Sequence, residues 1–166
     1  MITGDACSII LLAKSSILEE FAKRRNIIIP PEVYHEIMAG KEKSSFDALL
    51  TEKLIKEEKI TIKKISNPQI AEKLSKDFGL GKGESEAITL ALTTPNRIIL
   101  TDNRQGRKTA KIHGLTLIGS VEVVVALYKL KHIPKEKALS SLEMLKKIGW
   151  FEDSLIERAK EEVSNG

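Results

Sequence analysis

The sequence predicts an α/β domain. Three observations carry this. Short β-branched runs alternate with longer amphipathic segments. Those runs stop at Gly, Pro, Asn or Asp. No internal repeat, low-complexity tract or Pro/Gly-rich linker breaks the alternation. With 166 residues, 42% hydrophobic and 30% charged, the chain suits one soluble domain spanning 1–166, with a core over about 1–125 and C-terminal helices over about 126–164.

The elements follow in order. A brief strand is expected near Ile2-Thr3, then a helix from the apolar run Ile9–Ala13 with Ser8 as its N-cap. Ile17, Leu18, Phe21 and Ala22 have helical spacing, giving a second helix over 16–24. Asn26-Ile27-Ile28-Ile29-Pro30 is a strand stopped by its two prolines, and Pro31 opens a helix over 32–39. Residues 45–58 read as a helix with Phe46, Leu49, Leu50, Leu54 and Ile55 on one face. Residues 60–65 alternate like a half-exposed strand, and Asn67-Pro68 marks a turn before a helix over 69–78. Three glycines, Gly79, Gly81 and Gly83, precede a helix over 84–93. Residues 97–101 are the clearest strand, followed by a basic helix over 103–113 and a last strand at 115–118. Helices over 120–131, 134–147 and 152–163 finish the chain. The apolar residues of this tail, Trp150, Phe151, Leu155 and Ile156 among them, are expected to complete the core. Right-handed crossovers make the sheet mostly parallel, with sites outside the carboxyl ends of its strands.

Composition narrows the function. No apolar run approaches the roughly 18 residues of a membrane span. The amino terminus lacks a basic segment followed by an apolar one, so no secretory signal is expected. Cys7 is the single cysteine, which excludes an intrachain disulfide and thiolate zinc clusters and favours a reducing, cytoplasmic compartment. Net charge is +4, but residues 97–147 hold eleven Lys or Arg against four Asp or Glu. That surplus is either a polyanion footprint or a solvated helical surface.

Four acids stand where strands end or helices begin: Asp5, Glu36, Glu84 and Asp102. Brought together by folding, their charges repel, and a divalent cation relieves that repulsion. Each has a plainer reading. Asp5 is also a helix-cap candidate, and Glu36 a surface glutamate at the edge of a buried helical face. Glu84 also suits the dipole of a first helical turn, and Asp102 also suits a cap before a solvated basic helix. Gly81 and Gly83 allow the turn before Glu84 to press against a site. A phosphate loop is disfavoured there, because Glu84 follows Gly83 where Lys-Ser/Thr is needed. Arg104, Arg107 and Lys108 follow Asp102 and suit phosphates, while Arg104 and Lys108, at i and i+4, also suit pairing with nearby acids. His35, His113 and His132 are scattered and carry no catalytic expectation.

Four segments in order, Asp5-Ala-Cys-Ser8-Ile-Ile, Pro31-Glu-Val-Tyr-His-Glu36-Ile, Gly81-Lys-Gly-Glu84-Ser-Glu-Ala-Ile and Ile99-Leu-Thr101-Asp102-Asn103-Arg104-Gln-Gly-Arg107, make the chain resemble the PIN-domain family over residues 1 to about 125. That family comprises metal-dependent ribonucleases, including VapC-type toxins of toxin–antitoxin pairs. The Asp-Asn-Arg-x-Gly-Arg segment and helical tail look most like its stand-alone prokaryotic branch.

The resemblance implies a Rossmann-like sheet and a Mg²⁺ or Mn²⁺ site of Asp5, Glu36, Glu84 and Asp102. Many relatives carry a second acid beside Asp102 or one residue later. Here Asn103 holds that place and offers an uncharged carbonyl oxygen. Ser8 and Thr101 are candidate hydroxyls for orienting carboxylates, or simply cap and strand residues.

The expected activity is endoribonucleolytic hydrolysis of RNA by a metal-activated water, with Arg104, Arg107 and Lys108 on backbone phosphates. Aromatic residues are only 4%, which argues against extended base stacking. A catalytically impaired RNA- or protein-binding module on the same fold is the alternative. An antitoxin protein and a homodimer are the partners the family likeness implies.

Overall fold

A computed structural model of the chain describes residues 1–40 and 45–166. β1 (Ile2–Gly4) leads into α1 (Ala6–Lys14) and α2 (Leu18–Ala22); β2 (Ile27–Ile29) into α3 (Pro31–Met38) and α4 (Phe46–Lys56); β3 (Ile60–Ile62) into α5 (Pro68–Phe78) and α6 (Lys82–Leu92). β4 (Ile98–Leu100) leads into α7 (Arg104–Ile112), and β5 (Thr116–Ile118) into α8 (Ser120–Lys129), α9 (Lys135–Ile148) and α10 (Asp153–Ser164). The element order read from the sequence holds throughout.

The five strands form one sheet in the order β3-β2-β1-β4-β5. Every pair is parallel, with Ile2 opposite Ile27, Thr3 opposite Ile99 and Ile99 opposite Leu117. Burial follows this order. β2 lies inside the sheet and all three of its isoleucines are buried, whereas the edge strand β3 buries only Ile60. The chain runs outward from β1 to β3, then returns to place β4 on the other side of β1. The crevice between the carboxyl ends of β1 and β4 is therefore the topological switch point, where open parallel sheets build their sites.

Local chemistry sets the element ends. Pro30 is extended and Pro31 takes the first helical position of α3, where a missing N–H costs nothing. Gly79 closes α5 in the left-handed region with φ 65°. The last three helices belong to the main core: Leu142, Leu145, Ile156 and Val163 are buried in it, and the Ser141 hydroxyl donates to the Ser15 carbonyl at 2.8 Å. Among the described residues no helix is long and apolar enough to cross a membrane.

Four expectations are corrected. α1 begins at Ala6 and is capped by Asp5 rather than Ser8, because the Asp5 carboxylate reaches the Ser8 N–H at 2.8 Å. α6 begins at Lys82 with Gly81 as N-cap, which draws Gly83 inside the first turn. α4 buries Ala48, Leu50, Thr51 and Leu54, while Phe46 is 63% exposed and Leu49 also faces outward. That helix carries more apolar residues than its contact face can cover. Finally, Trp150 does not join the core: it is 105% exposed.

Candidate metal centre

Asp5 follows β1 directly and is 2% exposed. Its backbone N–H donates to Leu100 O at 3.2 Å, which ties it to the end of β4. Its two carboxylate oxygens differ. Oδ1 caps α1 through the Ser8 N–H, while Oδ2 is buried and has no hydrogen-bond partner among the described residues. The hydroxyls of Ser8 and Thr101 are likewise buried and unpartnered. Burial raises the Asp5 pKa to about 6. The nearby Thr101 and Ser8 hydroxyls and the Ser8 N–H oppose that rise, although neither hydroxyl reaches the carboxylate in good hydrogen-bonding geometry, and the Asp102 charge adds to it.

Asp102 lies two residues beyond β4 and is half-buried. The start of α8 holds it. Oδ1 accepts from the Ser120 N–H at 2.9 Å, and Oδ2 accepts from the Ser120 hydroxyl. A free N–H at a helix start is a natural anion holder. Gly119 makes the approach possible: a Cβ there lies 2.9 Å from Asp102 Oδ1 and 2.5 Å from Glu122 Oε2. Ser120 and Gly119 were missed in the sequence. The one signal was a Gly-Ser pair at the end of a strand, and its meaning depends on β5 lying beside β4.

Glu84 occupies the first turn of α6, half-buried. Burial raises its pKa, and the charges of Asp5 and Glu36 raise it further. Glu36 lies on α3, whose buried face is Val33 and Ile37. It points at α6, where its carboxylate lies against the Gly83 backbone, and a Cβ on Gly83 would run into its Oε1. Glu36 is exposed as a residue, yet partial burial of its carboxyl raises its pKa, the Gly83 N–H opposes this, and the Glu32 and Glu86 charges add to the rise. Gly83 thus makes the close approach, whereas Gly81 has open space around it. The four acids are linked pairwise through space, Asp102 to Asp5, Asp5 to Glu84 and Glu84 to Glu36. Among the described residues, no three Asp, Glu, His or Cys side chains close on a single point as a preformed cation cage.

A family model described as a PIN domain matches residues 1–165. The chain belongs to the PIN-domain family. Comparison with curated proteins and with solved structures gives no match. PIN domains are generally nucleases and typically use divalent metals, so this chain has a nuclease-type fold.

In this PIN domain the donor chemistry fits a hard cation. The carboxylates are all-oxygen donors, and the buried Oδ2 of Asp5 lacks any other partner among the described residues. Asn103 spends its side-chain oxygen on capping α7, accepting from the Gly106 N–H at 2.8 Å. Arg107 donates to Thr101 O at 2.9 Å and pairs with Glu122 at 3.3 Å, so it braces the loop that carries Asp102. Arg104 and Lys108 are exposed and make no ion pair among the described residues. Cys7 is exposed as a residue, yet burial pushes its thiol up to about 12, with the Asp5, Asp102 and Glu84 charges adding to this. Those three charges mark it as a neighbour of the carboxylates. Its motif position was visible in the sequence; its closeness to Glu84 was not.

Proposed function

We propose that this PIN domain is an Mg²⁺- or Mn²⁺-dependent endoribonuclease that hydrolyses RNA phosphodiester bonds. The observation that carries the reading is Asp5: a buried carboxylate with an unpartnered oxygen, at the switch point, in the field of a second carboxylate. Such a group is costly unless something positive meets it.

Asp5 Oδ2 and Asp102 are the inner ligands in this reading, with Glu84 and Glu36 completing the shell or holding its waters. The chemistry a hard dication supplies in such a cluster is a lowered pKa for water and neutralisation of charge on phosphate. The start of α8 orients Asp102 through Ser120, and the Ser8 and Thr101 hydroxyls flank Asp5. Arg104 and Lys108 are free to contact backbone phosphates, with Arg107 behind them as a strut.

Asp5→Asn tests this. The expected result is loss of Mn²⁺-dependent RNA cleavage, together with loss of the rise in melting temperature that Mn²⁺ gives the parent protein. Parent-level cleavage by the variant removes Asp5 from the mechanism. A second reading, an RNA- or protein-binding module without catalysis, is favoured by one observation: Asn103 is uncharged and already serves as a helix cap. RNA binding with no cleavage in any divalent ion selects it. A toxin role with an antitoxin partner, and a homodimer, rest on family likeness. A short neighbouring gene with a DNA-binding pattern tests the first, and sedimentation the second.

A further inference from the structure

Trp150 is the only tryptophan in the chain, and it is wholly exposed. It sits in the short junction between α9 and α10. Gly149 shapes this junction: the Phe151 ring folds so close over it that a Cβ there would strike the ring. Phe151 is therefore half-buried as the anchor, while the neighbouring indole stands free in solvent. An indole in this position adds nothing to folding, since it removes no apolar area from water.

A cleft of about 470 Å³ lies beside it. Trp150, Phe151 and Leu155 line one part, and Asp102, Arg104 and Arg107 another. The volume falls within the range of small-ligand sites. The cleft is continuous with the carboxylate centre, because Asp102 belongs to both. Arg107 is neutralised by Glu122, which leaves Arg104 as the available cation. Glu152 also lines the cleft and makes no side-chain bond to the helix start it caps. With Asp102, Glu122 and Glu152 all lining the cleft, an anionic group is unwelcome next to the ring itself. The favoured occupant is a neutral, planar group joined to a phosphate that Arg104 can meet.

We propose that this cleft is a base-binding subsite: one nucleobase of a single-stranded nucleic acid stacks on Trp150, with its phosphate directed past Arg104 toward Asp102. The proposal rests on the nuclease reading of the carboxylate centre and adds how a substrate strand is held there. One aromatic platform suffices for one base, which accommodates an aromatic content of only 4%. A duplex hides its base faces and cannot use the ring.

The lone tryptophan reports on its own site. A short single-stranded RNA is titrated in EDTA, so that no cleavage occurs, and Trp150 emission is followed. Saturable quenching is expected, with little from an abasic strand of equal length or from a duplex. By anisotropy of a labelled strand, Trp150→Ala is expected to weaken binding roughly 5- to 100-fold, with an unchanged melting temperature and near-parent binding in Trp150→Phe. Quenching by the abasic strand equal to that by RNA overturns the proposal. So does RNA that binds with emission unchanged, or RNA that fails to bind. Emission that shifts with protein concentration alone assigns the ring to a second copy and overturns it as well. The two readings fail separately. Stacking on Trp150 without cleavage in any divalent ion sinks the nuclease reading alone; cleavage with undiminished RNA binding in Trp150→Ala sinks the subsite alone.

Discussion

Asp5 divides its work between its two oxygens. Oδ1 caps α1 and Oδ2 is buried without a partner among the described residues, so the helix-cap and ligand readings of this residue are compatible. That division has a pH consequence. Its pKa in the fold, about 6, lies above the ordinary 3.8, so the folded state holds the proton more tightly than the unfolded chain. The contribution of Asp5 to the metal-free protein is thus most favourable below about pH 4. It is lost as pH rises through about 6, on the order of 3 kcal/mol in all. Asparagine caps helices about as well as aspartate. In chelator, Asp5→Asn is expected to melt above the parent at pH 8, with the gap closing toward pH 4. A gap independent of pH, followed by thermal melts across that range, contradicts the raised pKa. The acidic pattern was readable in the sequence. Which oxygen stays free was not, because that depends on where the first N–H groups of α1 point.

At the scale of elements, helix starts do much of the charge management. α1 is capped by Asp5, α6 carries Glu84 in its first turn, and α8 donates to Asp102. Each such contact is worth about 0.3–1 kcal/mol at a surface and up to about 2 when partly buried. They let several carboxylates coexist without closing into a cage. The contact of α3 with α6 is sensitive to sequence, since Gly83 admits Glu36 only by lacking a side chain. Gly83→Ala is expected to push the flexible Glu36 carboxylate aside, for about 1 kcal/mol or less of stability. The same change should weaken Mn²⁺ binding several-fold, as read by calorimetry. Unchanged Mn²⁺ affinity separates Glu36 from the metal. The three-glycine turn marked this place in the sequence. The helix start was misjudged because Gly81 and Gly83 have low helix propensity, yet the cap and the first turn tolerate them.

The whole molecule joins its two ends. α9 and α10 pack into the same core as α1, and Ser141 reaches Ser15 across 126 positions of sequence. Leu142 is fully buried there. Leu142→Ala is expected to cost about 2–5 kcal/mol and to lower a single melting transition, the same by far-UV circular dichroism and Trp150 emission. Two separate transitions mean that the tail folds apart from the sheet. The order of elements along the chain and the placing of sites at the strands' carboxyl ends were largely legible, because β-branched runs end sharply at Pro, Gly and Asp, whereas the spatial order of the strands emerges only from their pairing. The fate of individual apolar residues was not. Phe46, Leu49 and Trp150 look like core in the sequence and stand outside it, since hydrophobicity does not say which side of an element is already covered.

The central pairing of β1 with β4 also sets a timetable. Thr3 finds Ile99, and Asp102 finds its seat on Ser120, only after most of the chain exists. Translation proceeds at roughly 5–20 residues per second, so a nascent chain spends seconds unable to assemble its carboxylates. The ribosome making it, itself largely RNA, meets the finished crevice only once the last strand and the start of the helix behind it have left the exit tunnel.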